Sequence, residues 1–272
     1  MTRICEALDV SRSNLAERPL DPDNSRDAYD KSDDDVALLA RIRTIVDLRP
    51  TNGYRRVTAH LNRAQPRADR VNHKRVYRVM RDAGLLLPKY TGKVERPHDG
   101  QVITMSSDLR WCSDGFEIRC WNDEKVHVAF SLDCCDREAI AWVAADRHLD
   151  GGDIRDLMAE SVEARFRDTR TPRPIEWLSD NGPPYTADET RSFGASCGFL
   201  VRNTPAYSPE SNGMAEAFVK TFKRDYVYLA DVWTARHVLE MLPAWFADYN
   251  ENHPHKGLGM KSPREFRREI AS

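Results

Sequence analysis

One stretch of the chain sets a carboxylate beside cations at helical spacing. Its polar residues follow one another at intervals of four, four and three positions: Asn212, Glu216, Lys220 and Lys223. A helix would carry all four on one face, while Met214, Phe218 and Phe222 would form a separate apolar stripe. A solvated glutamate–lysine pair on a surface helix has the same spacing, so this motif alone leaves catalysis and surface charge equally open.

Two more carboxylates occur in apolar stretches typical of strands. Asp114 lies inside the run that begins at Arg110, and Asp180 ends the run that begins at Trp177. Three carboxylates, two near strand ends and one on a helix, can bind a divalent metal ion through hard oxygen ligands. The set therefore predicts a divalent metal site.

The elements around these acids alternate in type. Apolar patterning predicts strands over residues 111–118, 126–133, 138–145, 175–179 and 199–203, and helices over 151–167 and 188–196. A further helix is expected from Thr234 to Tyr249, with Pro243 as a kink inside it.

The segment before the strands is helical and basic. Helices are expected near residues 36–46 and 55–64 and after Asn72, which is placed to cap the third. Residues 41–90 hold thirteen Lys or Arg and three Asp or Glu, although the whole chain has a net charge of −2. Such one-sided charge favours contact with a polyanion over a basic bundle with no nucleic-acid role.

Composition argues against several classes of protein. The six cysteines include no Cys-x-x-Cys pair and most lie in apolar runs, which favours free thiols in a reducing compartment. No stretch is long and apolar enough to span a membrane, and no signal-peptide pattern or zinc-ligand spacing occurs. We therefore expect a cytoplasmic protein without membrane contact and without zinc.

Short motifs from about residue 35 to the end carry a family resemblance. They begin at Gly53 (Gly-Tyr-Arg-Arg), Lys74 (Lys-Arg-Val-Tyr-Arg-Val-Met), Trp111 (Trp-Cys-Ser-Asp-Gly-Phe), Leu132 (Leu-Asp-Cys-Cys-Asp-Arg-Glu), Trp177 (Trp-Leu-Ser-Asp-Asn-Gly), Ser208 (Ser-Pro-Glu-Ser-Asn-Gly), Tyr249 (Tyr-Asn) and Ser262 (Ser-Pro-Arg-Glu). The chain resembles a DDE transposase of the retroviral-integrase superfamily. More narrowly, it resembles the second-frame (OrfB) protein of bacterial insertion sequences of the IS-three family, near its IS-two branch.

The resemblance implies a fold and an activity. The fold class is α/β, with an RNase H-like integrase catalytic core (a mixed five-stranded sheet with helices) preceded by a small all-α helix-turn-helix-like domain. The implied activity is metal-dependent DNA strand cleavage and strand transfer, by transesterification, at insertion-sequence ends. Three alternatives stay open: a hydrolysis-only nuclease on the same fold, a DNA-binding regulator, and a degenerate, inactive copy.

Residue roles follow from the same resemblance. Asp114, Asp180 and Glu216 are expected to be catalytic and to bind two Mg²⁺ ions, for which Mn²⁺ can substitute. DNA contacts are expected from Asn212, Lys220, Lys223, Arg55, Arg56, Lys74, Arg75 and Arg78.

Two other acids match no catalytic position of the family. Asp133 and Asp136 are interpreted as turn caps that pair with Arg137.

The expected domain organisation has six parts. They are a partial helix-turn-helix remnant (1–20), a linker (21–35), a helix-turn-helix-like DNA-binding domain (36–86), a linker (87–107), the RNase H-like DDE catalytic core (108–251) and a C-terminal family segment (252–272). The implied partners are terminal inverted repeats, target DNA, further copies of the chain on paired ends, and an upstream-frame OrfA protein fused to the first residues. The implied location is the nucleoid-associated cytoplasm of a bacterium.

Overall fold

The computed structural model describes residues 33–88, 104, 106–203 and 213–270. The remnant predicted at residues 1–20 lies outside these ranges, as do Asn212 and most of both predicted linkers.

The N-terminal helical unit consists of three helices, α1 (Asp33–Leu48), α2 (Tyr54–Asn62) and α3 (His73–Asp82). Their apolar faces meet in one cluster around Ile42, Val57 and Met80, all fully buried. Asn72 caps α3, because its side chain accepts a hydrogen bond of 2.9 Å from the Lys74 amide. The predicted helices and the predicted cap are confirmed.

Five strands form one mixed sheet: β1 (Arg110–Arg119), β2 (Lys125–Asp133), β3 (Ala139–Ala145), β4 (Ile175–Ser179) and β5 (Phe199–Asn203). Their order across the sheet is β3-β2-β1-β4-β5. The first three strands are antiparallel neighbours, whereas β4 runs parallel to both β1 and β5. The five-stranded mixed sheet predicted from the resemblance is confirmed.

Helices follow or connect the strands in chain order. They are α4 (Gly151–Phe166), α5 (Pro183–Thr186), α6 (Asp188–Ser196), α7 (Gly213–Asp225), α8 (Ala235–Asn252) and α9 (Pro263–Ile270). The single-turn α5 and the C-terminal α9 were not predicted. α8 runs through Pro243 as one helix and is capped by Thr234, whose hydroxyl accepts a hydrogen bond from the His237 amide.

Each face of the sheet has its own apolar core. On one face, Trp111 and Trp177 pack with α4 through Ile154 and Leu157. On the other face, aromatic residues of the sheet and of α7 and α8 pack together: Phe116, Phe130, Phe218, Phe222 and Phe246. Because side chains alternate along a strand, the even-numbered residues of β1 point toward α7 and α8.

A buried ionic cluster ties α4 to the turn between β2 and β3. The Arg165 side chain, only 1% exposed, forms ion pairs with Asp108, Asp133, Asp136 and Glu138. Burial alone would lower the pKa of Arg165, but the surrounding carboxylates raise it overall.

The structure corrects one interpretation of these acids. Asp133 does cap the turn, since its carboxylate accepts from the amides of Cys135 and Asp136. The cation that both acids meet is Arg165, not the neighbouring Arg137. Arg165 is the last-turn residue of α4, so a local sequence pattern could not reveal it.

Two expectations from composition can be compared with the structure. The cysteines within the described ranges are free thiols, and Cys112, Cys120 and Cys197 are buried. Among the helices that the structure describes, none is long and apolar enough to cross a membrane.

We predict that Arg165→Met destabilises the fold by about 3–5 kcal/mol at pH 8, because it leaves buried carboxylates without their cation. The loss should be smaller at pH 5, where burial and Asp136 already favour the protonated form of Asp133, whose pKa is raised to about 6. Urea unfolding at both pH values measures the effect. Arg236→Met is the control, because that side chain is 90% exposed beside Glu240, and it should leave the midpoint unchanged.

Candidate functional site

Asp114 lies in β1, and Asp180 is the first residue after the neighbouring parallel strand β4. Cys112 of β1 pairs with Leu178 of β4, and each acid stands two residues beyond its paired residue. Strand alternation directs the Asp114 side chain toward the face covered by α7. The pairing register thus brings together two acids that are far apart in sequence.

Glu216 belongs to the first turn of α7, which packs on the same face. The helix is held there by Phe218 and Phe222, whose rings contact Phe130 and Phe116 at centroid distances of 4.3 and 5.7 Å. The apolar stripe predicted for this helix is therefore the side that packs against the sheet. Glu216 lies outside this stripe, and its side chain is 40% exposed.

The electrostatics of Asp114 link the three carboxylates. Burial raises the pKa of Asp114, and the negative charges of Asp180 and Glu216 raise it as well. The Gly115 amide donates a hydrogen bond of 2.8 Å to Asp114 Oδ1 and lowers the pKa, which lies at about 6 as the result of all these effects. A cation at this place would relieve the repulsion among the acids.

Two lysines accompany Glu216. Lys220 Nζ lies 3.2 Å from the Glu216 carboxylate, and its side chain is 64% exposed. Lys223 Nζ stands 5.7 Å from the centre of the Phe116 ring. Lys220 thus shares a face of α7 with Glu216, as predicted, and the ammonium group of Lys223 lies against the sheet. Asn212 lies outside the described residues.

The donor chemistry suits a hard divalent cation, since carboxylate oxygens are its preferred protein ligands. No group of three His, Cys, Asp or Glu side chains within the described ranges is close enough to hold a metal ion, and Glu216 is paired with Lys220 instead. The three carboxylates are therefore suitable ligands for a divalent metal ion, and the raised pKa of Asp114 reflects the charges of the other two. In this structure they are not close enough together to coordinate one ion.

A groove of about 330 Å³ opens beside the two strand acids. Its walls include Asp114, Asp180, Tyr185, His127 and His148. The two imidazole rings lie 4.3 Å apart, and Tyr185 is fixed by a 3.0 Å hydrogen bond between its hydroxyl and that of Ser113. Sequence reasoning missed both histidines, because neither stands in a recognisable motif.

The predicted DNA-binding residues of the helical unit fall into different environments. Arg55 and Lys74 are exposed. Arg75 and Arg78 both pair with Asp35 of α1, at 2.7 and 2.9 Å. Their charges are partly neutralised within the unit.

Arg56 faces in another direction. Its guanidinium pairs at 3.1 Å with Asp225, the last residue of α7, and its side chain is 23% exposed. This arginine therefore contacts the second half of the chain.

Comparison with known proteins gives a consistent result over nearly the whole chain. Residues 33–93 match the family described as HTH-like domain, and residues 106–209 and 198–263 match two families described as Integrase core domain. Transposase InsD for insertion element IS2A/D/F/H/I/K of Escherichia coli is 45% identical over 243 residues, which cover 88% of this chain and 80% of that protein. Transposase InsD for insertion element IS2-9 of Escherichia coli strain K12 is also 45% identical, over 88% of this chain and 79% of that protein.

One solved structure shares the fold at low sequence identity. A chain of the simian T-cell lymphotropic virus intasome in complex with PP2A regulatory subunit B56 gamma superposes with a TM-score of 0.51 at 13% identity. The match covers 83% of this chain and 73% of that one.

We predict that Asp114→Asn stabilises the metal-free protein at pH 8, by about 1–2 kcal/mol after allowance for solvent at a partly open site. The folded-state pKa of about 6 exceeds the unfolded value, so the charged form costs stability above that pH. The gain should shrink as the pH falls from about 6 and vanish below about 4, where both states are protonated. Thermal unfolding with chelator at several pH values measures it, and Asp156→Asn, an exposed acid on α4, serves as the control.

Proposed function

Because the chain belongs to the family of insertion-element transposases with an integrase core, we propose that Asp114, Asp180 and Glu216 are the catalytic carboxylates with which this transposase cuts and joins DNA. The observation that carries the proposal is the raised pKa of Asp114, caused by burial and then by Asp180 and Glu216. A buried carboxylate whose charged form is disfavoured by two neighbouring acids suits a site that receives a cation.

The same three residues would hold the divalent metal, in our proposal two Mg²⁺ ions with Mn²⁺ able to substitute. When bound, such ions lower the pKa of the attacking hydroxyl or water and stabilise the leaving oxygen. Asp114 is proposed to serve both ions, with Asp180 completing one set of ligands and Glu216 the other. For Glu216 this requires release from Lys220, with which it now pairs.

The lysines of α7 are proposed to hold DNA phosphates next to the acids. Lys220 is the more exposed of the two, and release from Glu216 would leave its ammonium group available for a phosphate oxygen. Lys223 stands closer to the sheet, above Phe116. In this proposal the carboxylates support the chemical step, and the lysines orient the DNA strand. Asn212 is proposed to assist them.

DNA binding by the helical unit is proposed to use its exposed cations. Arg55 and Lys74 are the best placed of these, because both side chains are exposed. Arg75 and Arg78 would add to this surface, although Asp35 offsets part of their charge. The boundaries given above for the domains and linkers are part of the same proposal.

The remaining partners are also proposals. The terminal inverted repeats and the target would be the DNA substrates, and copies of the chain would assemble on paired ends. An upstream-frame OrfA protein would be joined ahead of residue 1. The proposed location is the nucleoid-associated cytoplasm.

The acid assignment predicts that Glu216→Gln abolishes Mg²⁺-dependent cleavage and joining of the element's terminal repeat. Binding of the same DNA without metal should persist, because only a ligand charge is removed. Glu163→Gln, an exposed acid of α4, is the matched control and should cut like the wild type. Equal strand joining by the wild type and Glu216→Gln would overturn the assignment, and cutting without joining by the wild type would favour a hydrolysis-only nuclease.

The DNA-binding surface predicts a separate effect for Lys74→Ala. Loss of one phosphate contact should weaken binding of all sequences about equally and reduce the slope of log affinity against log salt by about one. Fluorescence anisotropy over a salt series measures both quantities. Lys256→Ala, an exposed lysine between α8 and α9, is the control, and an identical slope for both variants would exclude Lys74 from the interface.

A further inference from the structure

Three arginines of the helical unit occur seven residues apart and all point toward the catalytic half of the chain. Arg49, Arg56 and Arg63 pair with Asp248, Asp225 and Glu265, respectively. Arg56 lies in the first turn of α2 and Arg63 is its C-cap residue, and a spacing of seven returns to the same helix face. We call these three ion pairs the docking triad.

Two members of the docking triad are forked. Arg49 donates to both carboxylate oxygens of Asp248, at 2.8 and 2.5 Å. Arg63 contacts both oxygens of Glu265, at 2.6 and 2.8 Å. A forked pair between planar groups fixes an angle as well as a distance, which a single lysine contact would not do.

The acids of the docking triad are themselves held in place. Tyr226 and Asn252 donate to Asp248 at 2.9 Å each, and Asn252 also accepts from Arg63 at 2.8 Å. Burial would raise the pKa of Asp248, but the hydrogen bonds from Arg49 and Asn252 lower it overall. Asp248 therefore stays charged at neutral pH and remains an acceptor for Arg49.

A histidine between two of the pairs adds no competing charge. Burial, followed by the charges of Arg49 and Arg63, lowers the pKa of His60 to about 4. The imidazole is neutral near pH 7, so it does not compete with Arg49 and Arg63 for their acids. Asp225 is shared, because Arg224 also pairs with it at 2.6 Å.

The docking triad reaches the catalytic helix itself. Asp225 ends α7, and Glu216 lies nine residues earlier on the same helix, which corresponds to about 14 Å. Arg56 thus links the helical unit directly to the element that carries Glu216. The arginine is also withdrawn from the exposed basic surface of the unit.

From this geometry we propose that the docking triad is a positioning device that sets which phosphodiester of a bound DNA end reaches the carboxylates. The inference rests on the proposed function, in which the helical unit binds the end and the three acids support its cleavage. Two forked ion pairs and the contact with α7 hold the helical unit in place. The distance between the DNA-binding surface and the three carboxylates therefore stays constant. Arg49, Arg56 and Arg63 act through other groups and are positioning residues.

The test compares two double variants of the full chain on a labelled duplex carrying the terminal inverted repeat. Arg49→Gln with Arg63→Gln opens both forks. Arg43→Gln with Arg67→Gln removes the same charge from exposed positions of the same unit. End affinity is measured without divalent metal, and the positions and single-turnover rates of cleavage are measured with Mg²⁺.

We expect the docking variant to bind the end as tightly as the control variant. Its cuts should spread over neighbouring phosphodiesters, and its rate at the native position should fall about 100-fold, the scale for a misplacement of about 1 Å. A single native cut at the control's rate would overturn the proposal. A faster native cut would also overturn it, because the triad would then be an inhibitory lock.

A single substitution tests the same proposal if the Arg49→Gln, Arg63→Gln protein does not fold. Glu265→Gln removes one acceptor charge at a side chain that is 28% exposed, and it should broaden the cut positions in the same sense. An unchanged distribution in a folded Glu265→Gln protein would overturn the proposal. Failure of the proposed function has a different signature, since the wild-type chain would then cut nowhere.

Discussion

The parallel pairing of β1 with β4 is the constraint on which the candidate site depends. It places Cys112 opposite Leu178 and so brings Asp114 of β1 near Asp180, the residue after β4, although the two acids are sixty-six positions apart in the sequence. A shift of one residue in this register would turn one acid to the opposite face of the sheet. The buried tryptophans that pair beside it, Trp111 and Trp177, belong to the α4 core and would be displaced by such a shift. Core packing and the geometry of the acids are therefore specified together.

The described residues include two groups of carboxylates, which differ in whether a cation of the protein balances their charge. Around Arg165 the acids are buried with a cation inside the protein, so their charge is balanced by the fold and helps to join α4, the β2–β3 turn and α9. Among the described residues no arginine pairs with Asp114, and burial together with the charges of Asp180 and Glu216 raises the pKa of Asp114. A balanced cluster contributes to structure. A buried carboxylate whose charge is not balanced lowers the stability of the fold slightly, as residues of reactive sites often do.

The basic residues of the helical unit also form two groups with different surroundings. Arg49, Arg56 and Arg63 are turned toward acids of α7, α8 and α9, while Arg55 and Lys74 remain on the exposed surface. Neighbouring arginines, Arg55 and Arg56, thus face different partners, because successive residues of a helix point about 100° apart. A count of positive charge in this region overstates what is available to DNA. It also hides an ionic interface between the two halves of the molecule.

Local patterns in the sequence determined the elements and the residue types of the site. Apolar periodicity gave the three helices and five strands, Asn72 and Thr234 marked helix starts, and the spacing along α7 separated its packing stripe from Glu216 and its lysines. The assignment of Asp114, Asp180 and Glu216 as one set came from family motifs, since no local rule relates residues so distant along the chain. Only the tertiary structure decided which charges meet: Arg165 and not Arg137 for Asp133, and Asp225 for Arg56. The reason is physical, because hydrophobic periodicity reports which face of an element is buried, whereas the partner of a charge depends on how distant elements pack and on which ion pairs repay desolvation there.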